Sequence, residues 1–266
     1  MNQVAADQLK VRIYENRAQL GSDAAKLAAN QIRLLLQEKE AVNIIFAAAA
    51  SQNEFLAELI QQDIDWQRIN AFHMDEYIGL PPNAPQLFSV FLKQRIFDKV
   101  PFRAVYYLNG AAPDSEAECN RYAALLDQYP VDITCMGIGE NAHLAFNDPH
   151  VADFKDSRAV KVVDLDEACK QQQVNEGCWE RVTDIPTDAF TLTIPSLLRA
   201  PFILCMVPGA TKAQAVYHTL VSAISEEYPS TIIRTHPGTI LFLDRESAAK
   251  LPAVIETAAV TEVNPA

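Results

Sequence analysis

Apolar positions along this chain switch repeatedly between two spacings. Compact apolar runs at Leu9 to Tyr14, Val42 to Ala49, Ile69 to Met74, Val105 to Leu108 and Val131 to Met136 read as strands. Those at 42–49 and 131–136 are apolar enough to be covered on both sides. Between them the spacing becomes helical. Ser22 or Asp23 can cap a helix with Ala25, Ala28, Ile32 and Leu35 on one face. Phe55, Leu56, Leu59 and Ile60 mark the next helix, Phe88, Leu92, Arg95 and Ile96 another, and Asp114 opens one bearing Ala117, Tyr122, Leu125 and Tyr129. In the second half, Ala159 to Val163, Ala189 to Thr193, Pro201 to Val207 and Thr239 to Leu243 read as strands. Thr211 caps a helix whose inner face is Ala213, Val216, Leu220 and Ile224.

Strands alternating with helices predict an α/β chain with an open, mostly parallel sheet and helices on both faces. No linker and no internal repeat interrupts the pattern, so residues 1–266 are read as a single domain. Residues 150–185 have few apolar anchors and mixed charge, and are read as an irregular insertion or lid.

Composition narrows the function class. Of the 266 residues, 49% are hydrophobic and 21% charged, an ordinary globular balance. No apolar run is long enough to span a membrane, and Met1 to Leu9 lacks the apolar core of a secretion signal. Five cysteines are too few for a disulfide scaffold and form no C-x-x-C pair, and Cys119 and Cys135 fit as small core residues. A reducing, cytoplasmic setting is the simplest reading. The net charge of −12, from 34 acidic and 22 basic residues, argues against a nucleic-acid binder. It leaves room for a small anionic ligand held by one lysine and backbone N–H groups.

In open α/β sheets, ligands bind outside the carboxyl ends of the strands. Four polar clusters fall there. Ser51-Gln52-Asn53 follows the alanine run Ala47 to Ala50, which lets a ligand approach the backbone, with a hydroxyl near a helix start: a candidate phosphate cradle, although alanine runs also serve tight packing. Asp75-Glu76-Tyr77 ends an apolar strand. Adjacent side chains on a strand point to opposite faces, so one carboxylate faces the site and suits proton abstraction beside a carbonyl, while the other serves structure. A turn or cap role is the bland alternative.

Gly137 to Pro149 is the richest cluster. Its glycines permit a sharp exit from the strand, and His143 lies between Asn141 and Asp148. Histidine can move protons between sugar oxygens near neutral pH, and Asp148 can orient the ring. A structural histidine is the alternative; a metal site is disfavoured by the lack of a second histidine at ligand spacing. Finally, Gly209 to Ala213 places Lys212 in the first turn of a helix, where a cation opposes the helix dipole unless an anion sits beside it.

These strings resemble the glucosamine-6-phosphate deaminase (isomerase) family, within the wider group that includes 6-phosphogluconolactonases. The resemblance rests on Phe72-His73-Met74-Asp75-Glu76-Tyr77-Ile78-Gly79-Leu80-Pro81, on Gly137 to Pro149, and on Pro208-Gly209-Ala210-Thr211-Lys212-Ala213, and extends over about Ile13 to Leu251. It implies a Rossmann-like sugar-phosphate isomerase fold and a hexosamine 6-phosphate as substrate. Glucosamine 6-phosphate would give fructose 6-phosphate and ammonia, and the galactosamine epimer would give tagatose 6-phosphate. It further implies Asp75 as the carbon base, with His143 opening the sugar ring, assisted by Asp148 and neighboured by Asn141. Ser51, Gln52, Asn53 and Lys212 would hold the phosphate, with Ala50, Glu76 and Gly139 around the pocket. No metal or organic cofactor is needed, and a homo-oligomer is left open.

The chain departs from the family pattern in several places. Ala47 to Ala50 and Ser51 stand where a glycine-rich loop with threonine is usual, Asn141-Ala142 precedes the histidine where Asp-Gly is usual, and Asp148 replaces a glutamate. The usual phosphate-contacting arginine of the insertion has no clear match: Gln171, Gln172, Gln173 and Asn175 occupy its region, with Lys170 and Arg181 as possible substitutes. Asparagine before the histidine also occurs in galactosamine-6-phosphate deaminase-like members. Two rival functions share the pocket: a 6-phosphogluconolactonase, in which the histidine activates water and Asp75 is not a carbon base, and a catalytically silent sugar-phosphate sensor.

Overall fold

The computed structural model describes residues 9–175 and 177–252. Apart from Leu9, the N-terminal stretch read above for a secretion signal lies outside them. The chain runs β1 (Lys10–Tyr14), α1 (Arg17–Glu38), β2 (Val42–Phe46), α2 (Asn53–Leu59), β3 (Ile69–His73), β4 (Asp75–Tyr77), α3 (Phe88–Leu92), β5 (Ala104–Tyr106), α4 (Ser115–Gln128) and β6 (Ile133–Met136). It continues through β7 (Val160–Asp164), α5 (Glu167–Asn175), β8 (Asp188–Leu192), α6 (Ile194–Leu197), β9 (Phe202–Val207), α7 (Ala213–Val221), β10 (Thr239–Asp244) and α8 (Arg245–Ala248).

Seven strands form one parallel sheet in the order β1-β10-β9-β6-β2-β3-β5. From β2 the chain winds outward through β3 to β5, then returns to β6 on the other side of β2. The switch point therefore lies between β2 and β6, and a crevice opens beyond their carboxyl ends.

Each central strand feeds two cores by alternation. Ile44 and Phe46 of β2 pack with α1 and α2, whereas Ile45 and Ala47 pack with α4 and α7. Leu204 and Met206 against Ile203, Cys205 and Val207 do the same in β9. Cys119 and Cys135 are buried core residues. Among the described residues, no helix is long and apolar enough to cross a membrane.

Several local expectations are corrected. Helix α1 starts at Arg17, six residues before Asp23, because the Asn16 side chain accepts from the Gln19 N–H and supplies the N-cap. Asp23 instead pairs with Arg12 and Tyr14. Gly21 lies where α1 crosses α2, and a Cβ there would fall 2.6–2.8 Å from Glu54 and Phe55. Thr211 makes no cap bond: a 3₁₀ turn over Ala210–Lys212 precedes α7, and Ile224 lies exposed beyond its end. The expected helix at Phe88 to Ile96 is α-helical only to Leu92 and then forms a π turn over Lys93–Phe97.

Residues 150–185 are not irregular. They contain β7 and α5, and β7 joins a second sheet, antiparallel, in the order β4-β8-β7. Its strands β7 and β8 coincide with runs read as strands, Ala159 to Val163 and Ala189 to Thr193, but their antiparallel pairing with β4 was not read, and α5 was missed because it has almost no apolar stripe, with Gln172 and Gln173 among its buried residues.

Candidate active site

The carboxyl ends of β2, β3, β6 and β9 converge on one cleft. Ala47 to Ala49 and Ser51 follow β2, Met74 and Asp75 follow β3, Gly137 to Gly139 and His143 follow β6, and Lys212 follows β9. All four polar clusters singled out in the sequence therefore meet. Phe88, Phe146, Gln172 and Gln173 complete the lining. The stacked pair Phe88 and Phe146, with ring centroids 5.5 Å apart, carried no signal in the sequence beyond hydrophobicity.

The segment after β2 is held from outside. The Arg17 guanidinium clasps Glu54 through bonds of 2.6 and 2.9 Å and donates to the Ala50 carbonyl. Within it, the amides of Ala47 and Gln52 donate to Cys135 and Ala49. Among the described residues no acceptor takes the amides of Ala48, Ala49, Ala50 or Ser51. No alanine in this run needs a positive φ, so the absent glycines leave the backbone accessible.

The side chains here divide. Ser51 faces the cleft and its Oγ accepts from Gln52 Nε2 at 3.0 Å, leaving the hydroxyl proton for another partner. Gln52, expected at the phosphate, is buried beneath: its amide is also within reach of the Met136 and Met206 carbonyls, so it braces the floor. Asn53 turns away as well, with Oδ1 accepting from Arg95 Nε at 2.6 Å. Ala50 lies outside the cleft for the same reason, on the wall of the neighbouring cavity that Arg95 occupies.

Asp75 belongs to β4, not to a loop after β3. Pairing with Thr191 across β8 directs it into the cleft, while the next residue, Glu76, is directed away. Glu76, counted above among pocket residues, instead accepts from the amides of Tyr77, Phe88 and Ser89 at 2.9–3.1 Å, which orders the start of α3. Asp75 has no such support: among the described residues no donor reaches its carboxylate. Burial, reinforced by the neighbouring charge of Glu76, holds its pKa well above the usual carboxylate range.

His143 sits on Gly139, where a Cβ would come within 2.2 Å of the ring. Glycine is needed there for close approach, not for an unusual dihedral. The left-handed positions of this loop are Ala142 (φ 69) and Ala145 (φ 50), at a cost of about 1–2 kcal/mol each relative to glycine. Asn147 secures the loop by donating to the Leu144 and Leu192 carbonyls, both at 2.8 Å.

His143 Nδ1 lies 2.9 Å from Asp148 Oδ1, leaving Nε2 for a ligand. Burial raises the Asp148 pKa, but the His143 charge and hydrogen bonding, with the Asn141 bond, outweigh it and hold the carboxyl below its ordinary value. Asn141, expected among the catalytic groups, does not line the cleft. Its Nδ2 donates to Asp148 at 2.9 Å and its Oδ1 accepts the His143 N–H, so it braces the pair.

Lys212 is buried and lines the cleft. Its loop is fixed by Asp244, whose carboxylate oxygens each accept the Gly209 N–H at 3.0 Å. Lys170 and Arg181 do not substitute for the missing arginine: Lys170 pairs with Glu167, Arg181 with Asp184, and neither lines the cleft.

His143, Asp148 and Cys169 bring one potential metal-ligand atom each within 4.8 Å of one another. Burial, then the nearby Asp148, pushes the Cys169 thiol well above its ordinary pKa, and a metal requires the thiolate. The trio therefore favours a neutral thiol against Asp148 over an ion site.

Comparison with known proteins fits this geometry. Residues 15–242 match the family described as glucosamine-6-phosphate isomerases/6-phosphogluconolactonase. The chain belongs to that family. It is 34% identical to a glucosamine-6-phosphate deaminase of Listeria monocytogenes serotype 4a, across 88% of this chain and all of the relative. It is 31% identical to one from Streptococcus sanguinis, across 91% of this chain and 99% of the relative. A solved monomeric glucosamine-6-phosphate deaminase superposes with a TM-score of 0.82 at 30% identity, covering 90% of this chain and 99% of the other. The 6-phosphogluconolactonase of Thermotoga maritima superposes at 0.72 with 19% identity, over 89% and 99%, a likeness of fold.

Proposed function

We propose that the protein converts a hexosamine 6-phosphate to a ketose 6-phosphate and ammonia, with glucosamine 6-phosphate as the preferred substrate. The observation that carries this is Asp75: a buried carboxylate that no donor among the described residues reaches, at a strand end, in the cleft that also holds a histidine–carboxylate pair. A lactonase that only activates water has no use for a second, high-pKa carboxylate. The deaminase names of the relatives at 31–34% identity support the substrate class.

In this reading, the amides of Ala48, Ala49 and Ser51, the Ser51 hydroxyl and Lys212 hold the phosphate. His143 Nε2 takes the proton from O1 of the ring and returns it to O5, breaking the C1–O5 bond and giving the open-chain aldehyde. Asp148 on Nδ1 stabilises the transient imidazolium. Asp75 then removes the C2 proton while the C2 ammonium passes one of its protons to the carbonyl oxygen, forming the neutral C1–C2 enolamine. It returns its proton to C1 of the same face, leaving a C2 iminium. Water adds to C2 and ammonia departs. The chain supplies position and electrostatics throughout.

The raised Asp75 pKa fits this course. Among the described residues no cation pairs with that carboxylate, whereas a substrate bound with its C2 amine protonated brings a positive partner. Substrate thereby favours the charged base that the reaction needs.

Asn141 favours a second reading of the sugar, because the Asn-x-His pattern also occurs in galactosamine-6-phosphate deaminase-like relatives. Turnover of glucosamine, galactosamine and mannosamine 6-phosphates, reading ammonia and ketose together, tests both. Equimolar ammonia and ketose from one of them is expected. Hydrolysis of 6-phosphogluconolactone with no ammonia from any amino sugar overturns the proposal in favour of a lactonase, and binding without turnover overturns it in favour of a sensor.

A further inference from the structure

A second cavity, of about 440 Å³, adjoins the catalytic cleft and is the larger of the two. The two share Ala48, Ala49, Phe88 and Gln173 as a common wall. The assigned chemistry uses nothing beyond that wall. Its far side carries Arg95 on the π turn that follows α3. A single π turn inside a helix rotates the side chains after it, and such turns concentrate at functional sites.

Arg95 is under-used where it stands. Its guanidinium carbon lies over the Phe91 ring, 3.6 Å from the centroid. Nε donates to the neutral Asn53 amide, and one terminal nitrogen reaches the Phe91 carbonyl only at 3.5 Å. Among the described residues no carboxylate pairs with it. An arginine has five N–H donors arranged to meet a carboxylate or phosphate, and most remain open here. Partial burial lowers its pKa, and the opposing pull of Cys178 on the same cavity wall does not offset it. It stays charged at every physiological pH. The surrounding wall is apolar where Phe88, Phe91 and Pro85 contribute and neutral where Gln86 and Gln94 do.

We propose that this cavity is a second anion-binding site, taking the phosphate or carboxylate of a small organic molecule whose apolar part rests on Phe88 and Phe91. The charge pairs with Arg95 through its free N–H groups. The anion is either a separate molecule or the distal group of a substrate longer than a hexosamine 6-phosphate, because the two cavities are neighbours that share Ala48 and Ala49.

Phenyl phosphate, an aromatic body with one dianionic group, is the probe. Its affinity is measured by calorimetry for the wild-type protein, Arg95→Gln and Arg95→Lys, each checked for unchanged far-ultraviolet circular dichroism. Titrations are made with and without the amino-alditol 6-phosphate, the reduced open-chain sugar that lacks a carbonyl and cannot turn over. Phenyl phosphate should bind the wild type, weaken about tenfold or more in Arg95→Gln, and recover part of that loss in Arg95→Lys. The amino-alditol 6-phosphate should bind all three alike. Simultaneous binding of both ligands assigns the cavity to a separate molecule. Mutually exclusive binding that still depends on Arg95 assigns it to the far end of a longer substrate.

Equal affinity of phenyl phosphate for wild type and Arg95→Gln overturns the proposal. So does an equal loss of the amino-alditol 6-phosphate in Arg95→Gln, which would place Arg95 in the catalytic phosphate site. Failure of the amino-alditol 6-phosphate to bind even the wild type would count against the proposed function alone, and leave the Arg95 dependence of phenyl phosphate to be read by itself.

Discussion

Replacing Asp75 with asparagine removes one buried charge and should move activity and stability in opposite directions. The amide keeps the size of the side chain but cannot take a proton from C2. Loss of a positioned general base costs about 10²–10⁴-fold in turnover, equivalent to about 2.7–5.5 kcal/mol of transition-state stabilisation. Stability follows from the raised pKa of Asp75. Below the ordinary carboxylate pKa the group is protonated in both folded and unfolded chains, and carries no penalty. As pH rises through that value, the unfolded chain ionises first, so the wild type loses stability until the higher folded pKa is passed. Each unit of upward shift is worth about 1.4 kcal/mol. At neutral pH, Asp75→Asn should therefore be more stable by on the order of 1 kcal/mol or more, or about 2–4 °C in Tm for each kcal/mol in a domain of this size. At pH 3 the difference should vanish. Urea unfolding of both proteins at pH 3 and pH 7, beside ammonia release from glucosamine 6-phosphate and calorimetry with the amino-alditol 6-phosphate, measures every part. A mutant that deaminates at near the wild-type rate refutes Asp75 as the base. A mutant less stable at pH 7 than at pH 3, relative to wild type, refutes the electrostatic account even if activity is lost.

The acid limb of kcat/KM, which reports free enzyme, should lie at higher pH than that of kcat, which reports the complex, because substrate supplies the cation Asp75 lacks; coincident limbs would contradict this. Gly139→Ala should fold but lose most turnover, since a Cβ 2.2 Å from the His143 ring displaces it; near-native kcat with unchanged circular dichroism would show that the ring position is not critical. Lys212→Ala should weaken the amino-alditol 6-phosphate about 10–150-fold while leaving its unphosphorylated counterpart unaffected, by calorimetry; equal losses for both would remove Lys212 from the phosphate.

The sequence alone determined the parallel layer and the place of its crevice. Apolar runs such as Ile44-Ile45-Phe46 and Leu204-Cys205-Met206 are legible because a strand covered on both faces cannot afford polar positions, and polar clusters must then fall at its ends. Asp75, His143, Ser51 and Lys212 could be singled out on that ground before any contact was known. Tertiary structure decided which neighbour faces the site. Glu76, Gln52, Asn53 and Asn141 are as polar as the residues beside them, yet they bind amides, carbonyls, Arg95 and Asp148 instead. Those partners lie up to 154 positions away in the chain, so no local pattern records them. The β4-β8-β7 sheet and the Arg95 cavity were hidden for the same reason: one depends on strands more than 80 residues apart, the other on a π turn meeting the alanine segment after β2. Local sequence sets periodicity, because side-chain direction follows backbone geometry; orientation within a site is set by long-range pairing, which only the folded chain brings together.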